Sequence, residues 1–211
     1  MPDNDHLEDF SMLLRTSITS PFGRKTRLAA LHLGLSDRIE VVPADTLDPN
    51  DPLRKDNPLG KIPVLALDDG RCVFDSRVIL EYFDHLAGGN RILPADPDAR
   101  LDCLRLQALS DGLMDAAILV VYEIRYRPEN GRHEGWVDLQ KEKMTRALQA
   151  MHEFLPDPSV FNAGTIAAAC AFGYIDWRKQ VDWRSINPKL VPWFEAFQGN
   201  FPEFAKTHPE G

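Results

Sequence analysis

Between residues 57 and 86 the spacing of apolar positions changes twice. Residues 62–67 form an apolar run, Asp69-Gly70 interrupts it, and residues 72–74 form a second short run. Two short apolar runs joined through Asp-Gly predict a β-hairpin. From Ser76 onward Val78, Ile79, Tyr82 and Phe83 recur at helical spacing, so a helix opens at Asp75-Ser76.

Patterning organises the rest of the chain in the same way. Residues 1–10 read as a loose acidic lead-in, and residues 12–16 as a short strand. Ser20-Pro21 supplies an N-cap followed by proline at the first helical position; Leu28, Leu31 and Leu35 then make a stripe, with Gly34 as its stop. Residues 38–42 give a second strand, and the proline- and charge-rich stretch 46–57 a loop or short irregular helix. The order strand, helix, strand, loop, hairpin, helix predicts a compact α/β domain over residues 11–87, its first two strands parallel through a right-handed crossover.

AGGNRILPADPDA, rich in Gly, Pro and Asp, predicts a linker over residues 88–98. Beyond it the period is helical over 99–126, 135–154, 165–178 and 188–197, which predicts an all-α domain over 99–211. The fold class is therefore α+β in two domains, a small α/β unit followed by a helical bundle.

Composition narrows the function. A net charge of −8 and a pI near 5.2 argue against a duplex nucleic-acid binder, whose affinity comes largely from neutralising phosphates. Cys72, Cys103 and Cys170 are widely separated in apolar settings and form no CxxC pair, as expected of small core residues in a reducing compartment. The histidines have no metal-ligand spacing, so no metal is expected. No run approaches the roughly 20 apolar residues of a membrane span, and MPDNDHLEDF is unlike a signal peptide. The expectation is a cytoplasmic protein without nucleic-acid or membrane partners.

Two details in the central stretch suggest chemistry. Pro63 lacks a ladder N–H, so it belongs at an edge or in a cis turn that leaves backbone groups of Ile62 unpaired and open to a ligand. At Asp75-Ser76 a hydroxyl, free N–H groups and a helix dipole converge beside a carboxylate, a pairing suited to a zwitterion. The plainer alternative is that Asp75 and Ser76 only cap a helix and Pro63 only trims a strand.

The chain resembles the cytosolic glutathione S-transferase family along nearly its whole length. KIPVLALDDGRCVFDSRVILEYFD is similar to that family's glutathione-site signature; TSPFGRKTRLAALHLGL is similar to the first-helix motif of bacterial, serine-type and omega-like members, and GTIAAACAFGYIDWR to the buried sixth helix. The resemblance implies a thioredoxin-like domain followed by a helical bundle, a homodimer, and glutathione as co-substrate. It implies that the Ile62 backbone beside Pro63 meets the cysteinyl part of glutathione, that Asp75 and Ser76 hold the γ-glutamyl end, and that Lys61, with Arg54 behind it, meets the glycyl carboxylate.

Ser20 is the catalytic residue that the resemblance implies, with Ser17 and Thr19 as neighbours able to do the same work. A thiol with pKa near 8.5 is only a few per cent thiolate at pH 7, and a stabilisation of about 2 pKa units, roughly 2.7 kcal/mol, makes most of it reactive. Serine at this position also removes disulfide reduction, which needs a low-pKa cysteine. Asp111, Met114, Tyr122 and Tyr126, at helical spacing on the first long helix, are candidates for the electrophile wall. One departure from the family pattern is Thr165 followed by Ala168, which predicts a helix start without a reciprocal capping box. The implied function is a glutathione transferase acting on a small hydrophobic electrophile. The alternative is a non-catalytic glutathione-binding or protein-interaction scaffold of the same fold.

Overall fold

The computed structural model describes residues 12–209, so the acidic lead-in lies outside the described residues. The chain begins with β1 (Met12–Thr16), whose alternate residues Met12, Leu14 and Thr16 are buried. Helix α1 (Pro21–His32) crosses to β2 (Ile39–Pro43), which lies parallel to β1 with Met12 opposite Ile39. Gly34 sits at φ +70° just beyond α1, the left-handed conformation that ends helices and that glycine adopts without steric cost.

A single turn, α2 (Leu53–Asp56), precedes β3 (Val64–Ala66) and β4 (Cys72–Val73). β3 starts later than its apolar run because Pro63, on a cis Ile62–Pro63 bond, has no N–H to give the ladder. β3 is antiparallel to both β1 and β4, which gives the order β2-β1-β3-β4. Helix α3 (Ser76–Leu86) covers the sheet through Ile79, Leu80 and Phe83, all fully buried. This is a thioredoxin-like α/β unit.

The helical part follows as α4 (Pro97–Tyr126), α5 (Glu134–Met151), α6 (Ala163–Arg178), the short α7 (Trp183–Ile186) and α8 (Leu190–Asn200). Asp84 fixes the connection into α4. Its carboxylate accepts N–H bonds from Asn90, Arg91, Ile92 and Leu93 at 2.7–3.2 Å, satisfying backbone donors that burial would otherwise leave unpaired.

Helix α6 is buried throughout from Ala163 to Ile175, as expected of a helix apolar on every face. Its start corrects the sequence expectation. The N-cap is Asn162, not Thr165: Asn162 Oδ1 accepts the Thr165 N–H at 2.9 Å, and Thr165 Oγ1 accepts the Asn162 N–H at 2.9 Å. Thr165 thus fills the third position of a complete capping box, a place normally taken by Glu or Gln.

Candidate active site

A cavity of about 650 Å³ opens between the sheet-bearing domain and helices α4 and α6. The loop before α1, the segment after β2 and residues Gly60, Lys61 and Ile62 form one side, and Asp115, Ile118, Leu119, Tyr122, Arg125, Tyr174 and Arg178 the other.

Ser20 is the N-cap of α1 and faces this cavity. Its Oγ accepts the Gly23 N–H at 3.1 Å and donates to no group among the described residues, which leaves the hydroxyl hydrogen free for a ligand. Ser17 and Thr19 also line the cavity, but their hydroxyls are 3.0 Å apart and bonded to one another. The first turn of α1 holds no acid, so the positive end of the helix dipole at Ser20 is not offset there.

Lys61 and Ile62 line the same cavity, and the turn that carries them is pinned by Asn57, whose Nδ2 donates to the Lys61 carbonyl at 2.8 Å. The Ile62 N–H and C=O take no backbone partner among the described residues. Arg54 is held by the carbonyls of Thr46 and Asp48 on an adjoining depression of about 380 Å³ shared with Lys61, Tyr122 and Tyr126.

Asp75 and Ser76 stand at the start of α3, outside the cavity lining, as does Pro63. Asp75 is the N-cap: one oxygen accepts the Arg77 N–H at 2.9 Å and the other the Arg77 guanidinium at 3.1 Å. Partial burial raises the Asp75 carboxyl, but these bonds from Arg77 outweigh it and hold the group below its usual range. Ser76 is 3% exposed.

Two of the residues expected on the electrophile wall are elsewhere. Met114 is fully buried, and Asp111 lies inside the joint between domains, where Lys25 Nζ donates to both its oxygens at 2.7 and 3.0 Å. The face of α4 that meets the cavity is rotated from the stripe chosen on the sequence and runs through Asp115, Ile118, Tyr122 and Arg125. Of the residues chosen, Tyr122 is on the main cavity wall and Tyr126 on the adjoining depression.

The sequence reading also missed Lys25, Arg77, Asp115, Arg125, Tyr174 and Arg178. Arg77 follows the Asp-Ser pair directly, and Tyr174 and Arg178 are four residues apart on one face of α6; those spacings were the available signals. The Asp115 carboxyl is raised by burial against the cleft, with Lys61 and Arg77 opposing. Burial also raises the Tyr122 and Tyr174 hydroxyls, so both are neutral hydrogen-bond donors near neutral pH.

Comparison with known proteins decides the family. The chain is 35% identical over 203 residues to the uncharacterized GST-like protein YibF of Escherichia coli K12, covering 94% of this chain and 98% of the relative. The chain belongs to the glutathione S-transferase family. The family model for the glutathione S-transferase N-terminal domain matches residues 19–86, which contain Ser20, Ile62 and Asp75.

Solved members of the glutathione S-transferase family share the whole fold. A Pseudomonas fluorescens Pf-5 glutathione transferase family member with bound glutathione is 38% identical with a TM-score of 0.88, covering 95% of this chain and 100% of its own. A further Pf-5 structure, with bound S-(propanoic acid)-glutathione, is 35% identical with a TM-score of 0.83, covering 95% and 98%.

Proposed function

We propose that this protein is a glutathione transferase that binds glutathione across the edge of the first domain and activates its thiol for attack on an electrophile held against α4 and α6. The observation that carries the reading is Ser20, an N-cap hydroxyl with a free hydrogen that faces a two-domain cavity beside the unpaired Ile62 backbone. Glutathione bound to the Pf-5 neighbour supports the tripeptide as co-substrate, and the conjugate in the second structure supports a thioether occupying such a site.

In this reading the cysteinyl backbone pairs with Ile62, Asp75 and Ser76 hold the γ-glutamyl ammonium and carboxylate, and Lys61 meets the glycyl carboxylate. The thiol loses its proton to solvent, and Ser20 donates a hydrogen bond to the resulting thiolate at the positive end of α1. The sulfur then forms a bond to the electrophilic carbon, and the leaving group departs with the bonding electrons. Ser20 accepts no proton in this sequence; its contribution is a larger thiolate fraction, with proximity supplying the rest. The protein works in the cytoplasm as a homodimer.

Calorimetry with reduced glutathione near pH 7 tests the reading first: micromolar to low-millimolar affinity supports it, and no binding refutes it. In the bound complex, Ser20→Ala raises the thiol pKa, read as thiolate absorbance against pH, while affinity is largely kept. An unchanged titration moves the role to Ser17 or Thr19.

A further inference from the structure

Along α4 the cavity wall changes character in one direction. Asp115 lies at one end, under the influence of Lys61 and Arg77; Ile118 and Leu119 come next, then Tyr122, and Arg125 last. At 1.5 Å per residue the ten steps from Asp115 to Arg125 span roughly 15 Å, so the wall passes from acid through apolar to cation over the length of a small molecule.

Helix α6 adds to the cationic end. Tyr174 and Arg178, one turn apart, both reach the cavity, and Tyr174 is influenced by the charges of both Arg178 and Arg125. Among the described residues neither arginine forms a salt bridge. Arg178 lies over the Trp177 ring at 3.9 Å, and its Nε is buried without a hydrogen-bond partner. A buried guanidinium N–H without an acceptor is costly, and an anionic ligand group is the kind of partner that relieves it. Asp45, the other acid of the lining, lies in the segment after β2 and accepts the Leu47 N–H at 2.8 Å.

Resting on the glutathione reading above, we infer that the electrophile is an acid: a compact apolar or aromatic body that carries a carboxylate. The apolar step at Ile118, Leu119 and Tyr122 takes the body, and Arg125 and Arg178 take the carboxylate. A neutral hydrophobic electrophile fills the first part and leaves both guanidinium groups unpaired.

The test uses three ligands in calorimetry on the intact protein: glutathione, S-benzylglutathione and S-(4-carboxybenzyl)glutathione. The last two differ only in the remote carboxylate. It should tighten binding about tenfold, the gain typical of one charge-assisted contact. That ratio should fall toward one in Arg178→Gln and Arg125→Gln, each measured against its own S-benzylglutathione affinity, and should shrink as salt is added. Arg125 is exposed, so its variant keeps the test available even where Arg178→Gln folds poorly. Equal affinity of the two conjugates in the wild-type protein overturns the inference and leaves the glutathione reading standing. Failure of glutathione and both conjugates to bind overturns the two together.

Discussion

Lys25 Nζ lies 2.7 Å from Asp111 Oδ1, and this ion pair joins the first helix of the sheet domain to the first long helix of the bundle. Both groups are buried, Lys25 completely. Arg77 extends the contact, with its Nε 3.7 Å from Asp111 and its Nη2 3.1 Å from Asp75. Asp75, which the proposed reading gives to glutathione, is thereby linked through charges to the domain joint.

Breaking the buried pair leaves one charge without a counterion. Lys25→Ala or Asp111→Ala should therefore each destabilise the fold by about 3–5 kcal/mol in urea denaturation. The double variant Lys25→Met with Asp111→Leu should recover most of that loss, since two apolar groups of similar volume carry no desolvation cost. If the double variant is as unstable as either single one, the pair is not the source of the effect.

Gly173 of α6 packs against α1, and a Cβ there would lie 2.5 Å from Arg24 Nη1 and 3.3 Å from the Phe204 ring. Arg24 cannot easily withdraw, because its guanidinium donates to the Phe204 carbonyl at 3.0 Å and to Thr207 Oγ1 at 3.1 Å. Gly173→Ala should cost about 1–3 kcal/mol despite the better helix propensity of alanine. A stabilised variant in thermal melts would show that this joint has slack.

The capping box at Asn162 predicts a smaller loss. Asn162→Ala should cost about 1–2 kcal/mol, toward the upper end for an N-cap because both partners are buried. Thr165→Ser keeps the reciprocal bond and should cost less. Chemical denaturation of the two variants orders them.

Asp75 sets a pH dependence whose sign follows from its surroundings. Its folded carboxyl lies below the usual value of 3.8, since bonds from Arg77 outweigh burial. The stabilisation it gives is present above that value and is lost as pH falls through the folded pKa. Stability should therefore decline less steeply below pH 3.8 in Asp75→Asn than in the wild type. Parallel urea midpoints against pH for the two proteins would refute the assignment.

The sequence by itself determined the fold class and the helix starts at Ser20-Pro21 and Asp75-Ser76, because both are written in short-range signals. Ser20-Pro21 begins a helix well, Pro63 cannot donate to a ladder, and Asp75-Ser76 opens a helix with its own side-chain cap. Tertiary structure decided the other wall. Helical spacing on α4 fits several faces of one long helix equally well, and only docking against α1 and α6 turned Asp111 and Met114 inward and Asp115, Tyr122 and Arg125 toward the cavity. The same limit applies to the start of α6. Thr165 is a good cap by composition, but the buried packing of Asn162 moved the first turn back and made it the third residue of a box. Long-range packing selects among local patterns of similar energy, and that selection is absent from the spacing of residues along the chain.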